Sequence, residues 1–295
     1  MHTPKARPFT PETGHACRSG VRRARPRAAA VAMGLAGVTM ITAIGCGSTP
    51  MYKHRHTLEL AAHTPGNPSG TTGPGRLEAR SNNGSITLRQ HEEPSIRVVA
   101  EVRATSPERA RESQLIATED ASGGLGVSIE WPDGRRESNE GAALYITGPA
   151  FHGVHLETSN GSIRASDQFG EGFFDTSNAS VRVDRHAGPV TIDTSNGRVS
   201  LSLARGERSP FSVRTSNARV GVDLPASFDG VIETDTSNAD VKIRAHDRQL
   251  VIRRKSDSSA AVSFGASWES ERSRIRTSNG SVSIDAEPLE TEYQQ

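Results

Sequence analysis

The stretch Val190-Thr191-Ile192-Asp193-Thr194-Ser195-Asn196-Gly197-Arg198-Val199-Ser200-Leu201-Ser202-Leu203 decides the fold. Apolar and polar residues alternate up to Thr194 and again from Val199, and a period of two is that of a half-buried strand. Between the two runs stands Ser195-Asn196-Gly197. Asn tolerates a positive φ and Gly adds no bulk, so the chain is expected to turn sharply here. The stretch therefore reads as strand, corner, strand.

The same phrase recurs on both sides. Thr-Ser-Asn followed by a small residue and an alternating strand stands with its Asn at 160, 178, 196, 217, 238 and 279, spaced by 18, 18, 21, 21 and 41 residues. An upstream relative, Ser81-Asn82-Asn83-Gly84, precedes Ile86 and Leu88, and a worn copy, Ser256-Asp257-Ser258, lies inside the longest gap. One such unit buries a single narrow apolar row and cannot stand alone, so neighbouring units must stack, roughly 4.8 Å apart. The expected fold is all-β, a parallel β-helix or β-solenoid of about 18–21-residue coils, with one short helix and a β-hairpin inserted near the N-terminal end. Ser106-Pro107-Glu108 opens that helix, which Ala110 to Ala117 can continue with Leu115 and Ile116 facing inward. Residues 125–131 and 143–146 read as the hairpin.

Residues 1–45 carry seven Lys or Arg against one acid, ending in an apolar run over 28–45 that stops at Cys46. A basic region, an apolar segment and small residues before a cut site describe an export signal. Ala43-Ile44-Gly45-Cys46 resembles the lipobox of bacterial lipoproteins, which implies a signal peptide over 1–45 and an acylated Cys46. The alternative is an uncut signal anchor, since 18 apolar residues just span a bilayer. The expected organisation continues with a flexible tether in 46–75, within which 56–61 reads as a short strand with Leu58 and Leu60 on one face, the β-domain over 76–286 and an acidic tail over 287–295. Cys17 and Cys46 are the only cysteines, so the exported part has no disulfide and no thiol chemistry of its own. Taking the leader's seven basic and one acidic residues from the chain's 35 and 34 leaves 28 and 33, a net charge of −5. That balance gives no footprint for nucleic acid.

Candidate chemistry lies around the corners. Glu157, Asp175 and Asp193 each precede a Thr-Ser-Asn phrase, so in-register coils put them in one outward column that could hold Ca²⁺ through oxygen ligands. Arg214 and Arg276 take the equivalent place in later copies, and the column is equally a solvated face. A polysaccharide-active enzyme on this fold would need a base beside the acids, for which Arg164 and Arg182 are candidates. Asn83, Asn160, Asn178, Asn196, Asn217, Asn238 and Asn279 are read as an internal ladder, each side-chain amide bonding the next coil. The repeated Ser and Thr are too regular to include one activated nucleophile. His152 with His155, and His54 with His56, are weak metal pairs, the latter expected in the exposed tether; Trp131 and Trp268 are read as packing residues.

The early Asn-Gly-Ser-Ile-Thr-Leu strand, the strand, helix and hairpin insertion, the apolar phrase ending at Gly148-Pro149 and the tandem repeats together resemble the bacterial putative-adhesin domain family, over residues 58–285. Ala or Asp stands beside several Asn where that family commonly has Gly, which alters corner geometry and not the repeat. The resemblance implies a β-helix-like fold at the bacterial cell envelope and transfers no catalytic residue or cofactor. The expected function is that of a non-enzymatic, lipid-anchored envelope protein, on the outer membrane or cell surface, with an envelope protein or glycan as partner. The alternatives are a Ca-dependent polysaccharide-active enzyme and a structural or envelope-stress component without soluble ligand.

Overall fold

The computed structural model describes residues 50–61, 75–120, 123–265 and 270–288. Its elements in chain order are β1 (Tyr52–Ala61), β2 (Leu77–Ser81), β3 (Ile86–Gln90), β4 (Ser95–Ala104), α1 (Pro107–Glu112), β5 (Gln114–Glu119), β6 (Leu125–Glu130) and β7 (Gly141–Gly148). The repeats follow as β8 (His152–Thr158), β9 (Ile163–Ser166), β10 (Phe169–Thr176), β11 (Val181–His186), β12 (Val190–Thr194), β13 (Val199–Leu203), β14 (Phe211–Arg214) and β15 (Val220–Leu224). The last are β16 (Val231–Thr236), β17 (Val241–Arg244), β18 (Val251–Lys255), β19 (Ser259–Ser263), β20 (Arg272–Thr277) and β21 (Val282–Ala286). Among the described residues the protein is all-β with one short α-helix, and the strands form two large mixed sheets that do not close on each other.

Each Thr-Ser-Asn phrase sits between the two sheets. The strand before it joins the lead-in sheet, ordered β18-β19-β16-β20-β14-β12-β10-β8-β2-β6-β5, and the strand after it joins the lead-out sheet, ordered β1-β4-β7-β3-β9-β11-β13-β15-β21-β17. Repeats pair in parallel and in register, so Thr158, Thr176 and Thr194 stand side by side, as do Ile163, Val181 and Val199. Alternation then does the rest, because every second side chain faces the opposite sheet. Leu156, Phe174, Ile192, Val213 and Ile275 from one sheet meet Ile163, Val181, Val199, Val220 and Val282 from the other in a continuous buried core.

The coil order differs from the chain order at both ends. The chain lays down β2 and β3, leaves to form β4 to β7, and then returns to place β8 and β9 on the other side of β2 and β3. At the far end β20 inserts between β14 and β16, and β21 between β15 and β17. The last repeat in sequence is therefore next to last in space. Consequently β6 and β7 are not a hairpin: they belong to different sheets, and residues 131–140 form an enlarged corner above Asn83. The inserted hairpin is β5 with β6, antiparallel from Gln114↔Glu130 to Glu119↔Leu125.

The helix is shorter than the sequence predicts. Ser106 Oγ accepts the Arg109 N–H at its start, and Ser113 Oγ donates to the Arg109 carbonyl at its end. Leu115, Ile116 and Ala117 gain strand pairing with β6 instead, which outweighs the favourable helix propensity of Leu and Ala. Strand β1 bears out the strand read at 56–61 and extends it back through 52–55, within the expected tether, since all ten residues Tyr52–Ala61 pair with β4. His54 and His56 are thus half-buried in a sheet, where burial depresses the pKa of both, and His56 Nε2 lies 3.4 Å from the Ala110 carbonyl. The worn copy at 256–258 is the turn of the antiparallel pair β18 and β19, stacked on the β16–β17 corner through Thr236 N–H to Ser258 O and Val241 N–H to Asp257 O.

Candidate functional site

Two rows of polar side chains run along the corners, one inside and one outside. The inner row is threonine. Thr158, Thr176, Thr194, Thr236 and Thr277 are buried, and each donates its hydroxyl to a carbonyl of the adjacent coil, from Thr158 Oγ1 to Gly84 O at 2.8 Å to Thr277 Oγ1 to Ala218 O at 3.5 Å. The outer row is asparagine. Asn160 donates to Asn83 Oδ1, Asn178 to Asn160, Asn196 to Asn178, Asn217 to Asn196, Asn279 to Asn217 and Asn238 to Asn279, all between 2.6 and 2.9 Å. Six of these seven Asn are exposed and Asn83 is half-buried, so the amide row lies on the outer surface and the internal row is the threonines. Asn83 Nδ2 ends the ladder on the Ser138 and Glu140 carbonyls.

The acid column stands on the outer face of the lead-in sheet. Asp175 is in register with Glu157 on one side and Asp193 on the other, and the row continues as Arg80 beside Glu157, Arg214 beside Asp193, then Arg276 and Asp235. Burial raises the Asp175 carboxyl pKa above its ordinary value, and the like charges of Asp193 and Glu157 raise it further. Arg80 Nε lies 3.5 Å from Glu157 Oε2. Among the described residues no three or more His, Cys, Asp or Glu side chains converge as metal ligands.

Arg164 and Arg182 cannot serve this column. They follow their corners, so they sit on the outer face of the lead-out sheet, which points the opposite way. His152 and His155 are not a metal pair either: each packs edge-on to a phenylalanine of the next coil, Phe169 at 4.5 Å and Phe173 at 4.6 Å between ring centroids. Trp131 is half-buried where β6 ends. Cys46 and Trp268 lie outside the described residues, as does the tail from 289.

Of the basic part of the same face, the sequence pointed to Arg214 and Arg276 but not to Arg272 and Arg274. Arg272, Arg274 and Arg276 alternate along β20 and are exposed, and because β20 inserts beside β14 they join Arg214. The alternation Arg-Ser-Arg-Ile-Arg is visible in the sequence, whereas its neighbours are not. A shallow cleft of about 350 Å³ at the head of the Asn ladder is lined by Lys53, Asn83, Glu101, Arg103 and Asn160 among others. It holds no nucleophile paired with a base, and Arg103 Nη2 is engaged with the Asn83 carbonyl.

The class defined here is an all-β protein of two mainly parallel sheets stacked through repeated polar corners, with charged outer faces. The family described as "Domain of unknown function (DUF7330)" matches residues 153–287, the part that begins with β8. Among solved structures the chain is similar to a putative cell adhesion protein from Clostridium sporogenes, at 11% identity and a TM-score of 0.42, covering 80% of this chain and 100% of that one. It is also similar to a putative adhesin from Bacteroides fragilis, at 11% identity and a TM-score of 0.32, covering 78% and 96%. No curated protein matches the sequence. No helix among the described residues is long and apolar enough to cross a membrane.

Proposed function

We propose that the chain is an exported, non-enzymatic protein of the bacterial cell envelope, lipid-anchored at Cys46, in which a rigid β-solenoid offers its outer faces to partners in an adhesin-like manner. The observation that carries this reading is the in-register face of the lead-in sheet, where β8, β10, β12, β14, β20 and β16 present charged and aromatic side chains at regular intervals. A repetitive face binds through many weak contacts rather than one pocket. Five residues lie between Cys46 and Tyr52, so the span is at most roughly 20 Å when extended, and an anchor at Cys46 keeps the β1 end of the molecule near the bilayer.

A single acyl chain holds weakly, so stable anchoring requires the full lipid modification of the lipobox class. Labelling with a radioactive fatty acid followed by membrane fractionation tests the anchor. The natural chain is expected to carry label and sediment with membranes, and Cys46→Ala to lose both; unchanged labelling in Cys46→Ala sinks the anchor. Capture from envelope extracts tests the interaction role: retention of a partner that needs the lead-in face supports it, and none retained favours a purely structural part.

A further inference from the structure

The outer face of the lead-in sheet carries an acidic block on β8, β10 and β12 and a basic block on β14 and β20, beyond which β16 adds Asp235 and Glu233, the latter 2.7 Å from Arg272 and 3.7 Å from Arg274. On β8, β10 and β12 the outward residues include Glu157, Glu171, Asp175 and Asp193; on β14 and β20 they are Ser212 with Arg214, Arg272, Arg274 and Arg276. The boundary runs between Asp193 and Arg214. Asp175, Asp193, Arg214 and Arg276 form no ion pair among the described residues, although their rows are adjacent.

We propose that this face binds a second copy of the same chain, face to face, about a two-fold axis parallel to the strands between β12 and β14. Such an axis reverses the coil order and keeps each residue in its row. Asp193 then faces Arg214 of the second copy and Asp175 faces Arg276 of the second copy, each contact occurring twice. In the next row Thr191 meets Ser212 of the second copy, Phe173 lies under Arg274 of the second copy in a cation–π arrangement, and His155 meets Glu233 of the second copy. One row further, Glu171 faces Arg272 of the second copy. The single like-charged opposition is Glu157 with Asp235 of the second copy.

A uniformly acidic or basic partner would meet its own sign over one of the two blocks, whereas a second copy turned over brings the opposite sign to Glu171, Asp175 and Asp193 and to Arg214, Arg272 and Arg276. Burial and like charges already raise the Asp175 pKa within one copy, and an arginine placed opposite relieves that repulsion. Sheets packed face to face stand about 10 Å apart, a gap that an Arg and an Asp side chain span together. Six strands at about 4.8 Å and five residues at about 3.3 Å give roughly 500 Å² per copy, so the total is near the lower limit for a specific interface and its charges decide whether it forms.

The proposal identifies a partner for the face on which the functional reading rests, and needs neither export nor the anchor. Sedimentation of the full chain tests it with two charge-reversed variants, Arg214→Glu with Arg276→Glu and Asp175→Arg with Asp193→Arg. The natural chain is expected to dimerise at low salt and to dissociate near 0.5 M salt, where charges are screened within a few ångströms. Each variant alone should dimerise at least about tenfold more weakly, because the reversed residues then face their own sign, and the two mixed should form a one-to-one complex, because each reversed residue then faces the opposite sign on the other variant. Circular dichroism melts establish that each variant is folded. The milder Arg276→Gln and Asp175→Asn should each weaken the dimer by about fivefold and stand in if a reversal does not fold. A natural chain that stays monomeric at every concentration, variants that dimerise undiminished, or a mixture that does not associate overturns the proposal. Loss of the anchor in Cys46→Ala is read by fractionation, so the two readings fail separately.

Discussion

Gly197 stands at its corner for want of space. A Cβ there would lie 1.7 Å from the Ala179 carbonyl oxygen, while its φ is not in the left-handed region. Asn83 is the only ladder Asn with positive φ, at 52°, so the corner turns without the left-handed conformation that Asn-Gly suggests. Gly197→Ala is expected to cost about 2–3 kcal/mol through overpacking against backbone, measured by urea midpoint, whereas Gly221→Ala, whose nearest atom would be 4.0 Å away, should stay within about 0.5 kcal/mol. The ladder has its own test. Asn196→Asp keeps the acceptor for Asn217 but places an oxygen against Asn178 Oδ1, so it should destabilise by about 1–2 kcal/mol at neutral pH, more than Asn196→Ala does. That deficit should shrink below about pH 4, where the carboxyl regains a proton to donate.

His186 ends β11 fully buried, with Nε2 2.9 Å from the Gly170 carbonyl and Phe174 edge-on to its ring. Burial depresses its pKa, against which the Gly170 carbonyl and the charge of Glu207 pull weakly upward. The unfolded chain therefore binds this proton at higher pH than the folded one. Its contribution is intact above the unfolded value of 6.5 and is lost as pH falls below it. Thermal midpoints should drop between about pH 7 and 5 in the natural chain, and His186→Gln, which keeps an N–H for Gly170, should flatten that slope.

At the scale of elements, α1 is held by one buried ion pair. Arg109 Nε and Nη2 donate to Glu140 Oε1 and Oε2, both at 2.8 Å, and Glu140 also accepts the Glu137 N–H; its side chain is 0% exposed. These bonds, the Arg109 ones first, hold the Glu140 carboxyl at about 2. A depressed acid contributes stability that is present above its unfolded value of 4.5 and lost as pH falls towards 2. Arg109→Met should cost about 3–5 kcal/mol near neutrality, because it strands a buried carboxylate, and the loss should be smaller in Arg109→Met with Glu140→Leu. Equal losses in the two would show that the pair is not what holds the helix. The start of this helix was legible in Ser106-Pro107-Glu108. Its end was not, since Leu115 to Ala117 fit either periodicity and only the presence of β6 beside them selects the strand.

At the scale of the molecule, the interpolated coil controls the C-terminal end. β20 and β21 separate β14 and β15 from β16 and β17, so ending the chain after Gly265 removes a spacer rather than a cap. Limited proteolysis of that truncated chain should show cleavage throughout 231–265 while 153–224 stays protected. Protection of 231–265 would mean that β16 pairs directly with β14. The same interpolation explains the corner residues. In sequence order Ala218 and Ala239 are consecutive, but with Gly280 between them the stacked corners from 161 onward alternate Gly, Ala, Gly, Ala, Gly, Ala.

The strands and corners of the repeats and the register of the column are legible in the amino-acid order, because alternation and a repeated phrase are local properties that stacking preserves, whereas the inserted strands β4 to β7, which carry no repeat, were only partly so. The sequence also contained the Asn row, whose members bond only to their counterparts in the adjacent coil. The tertiary structure alone decided which coil is adjacent. A repeat carries the same phrase wherever it stacks, so chain order does not specify coil order, and the insertion of β20 beside β14 brings four arginines together beside the acidic strands β8, β10 and β12. The face on which binding is proposed is therefore a product of coil order, and no repeat read singly contains it.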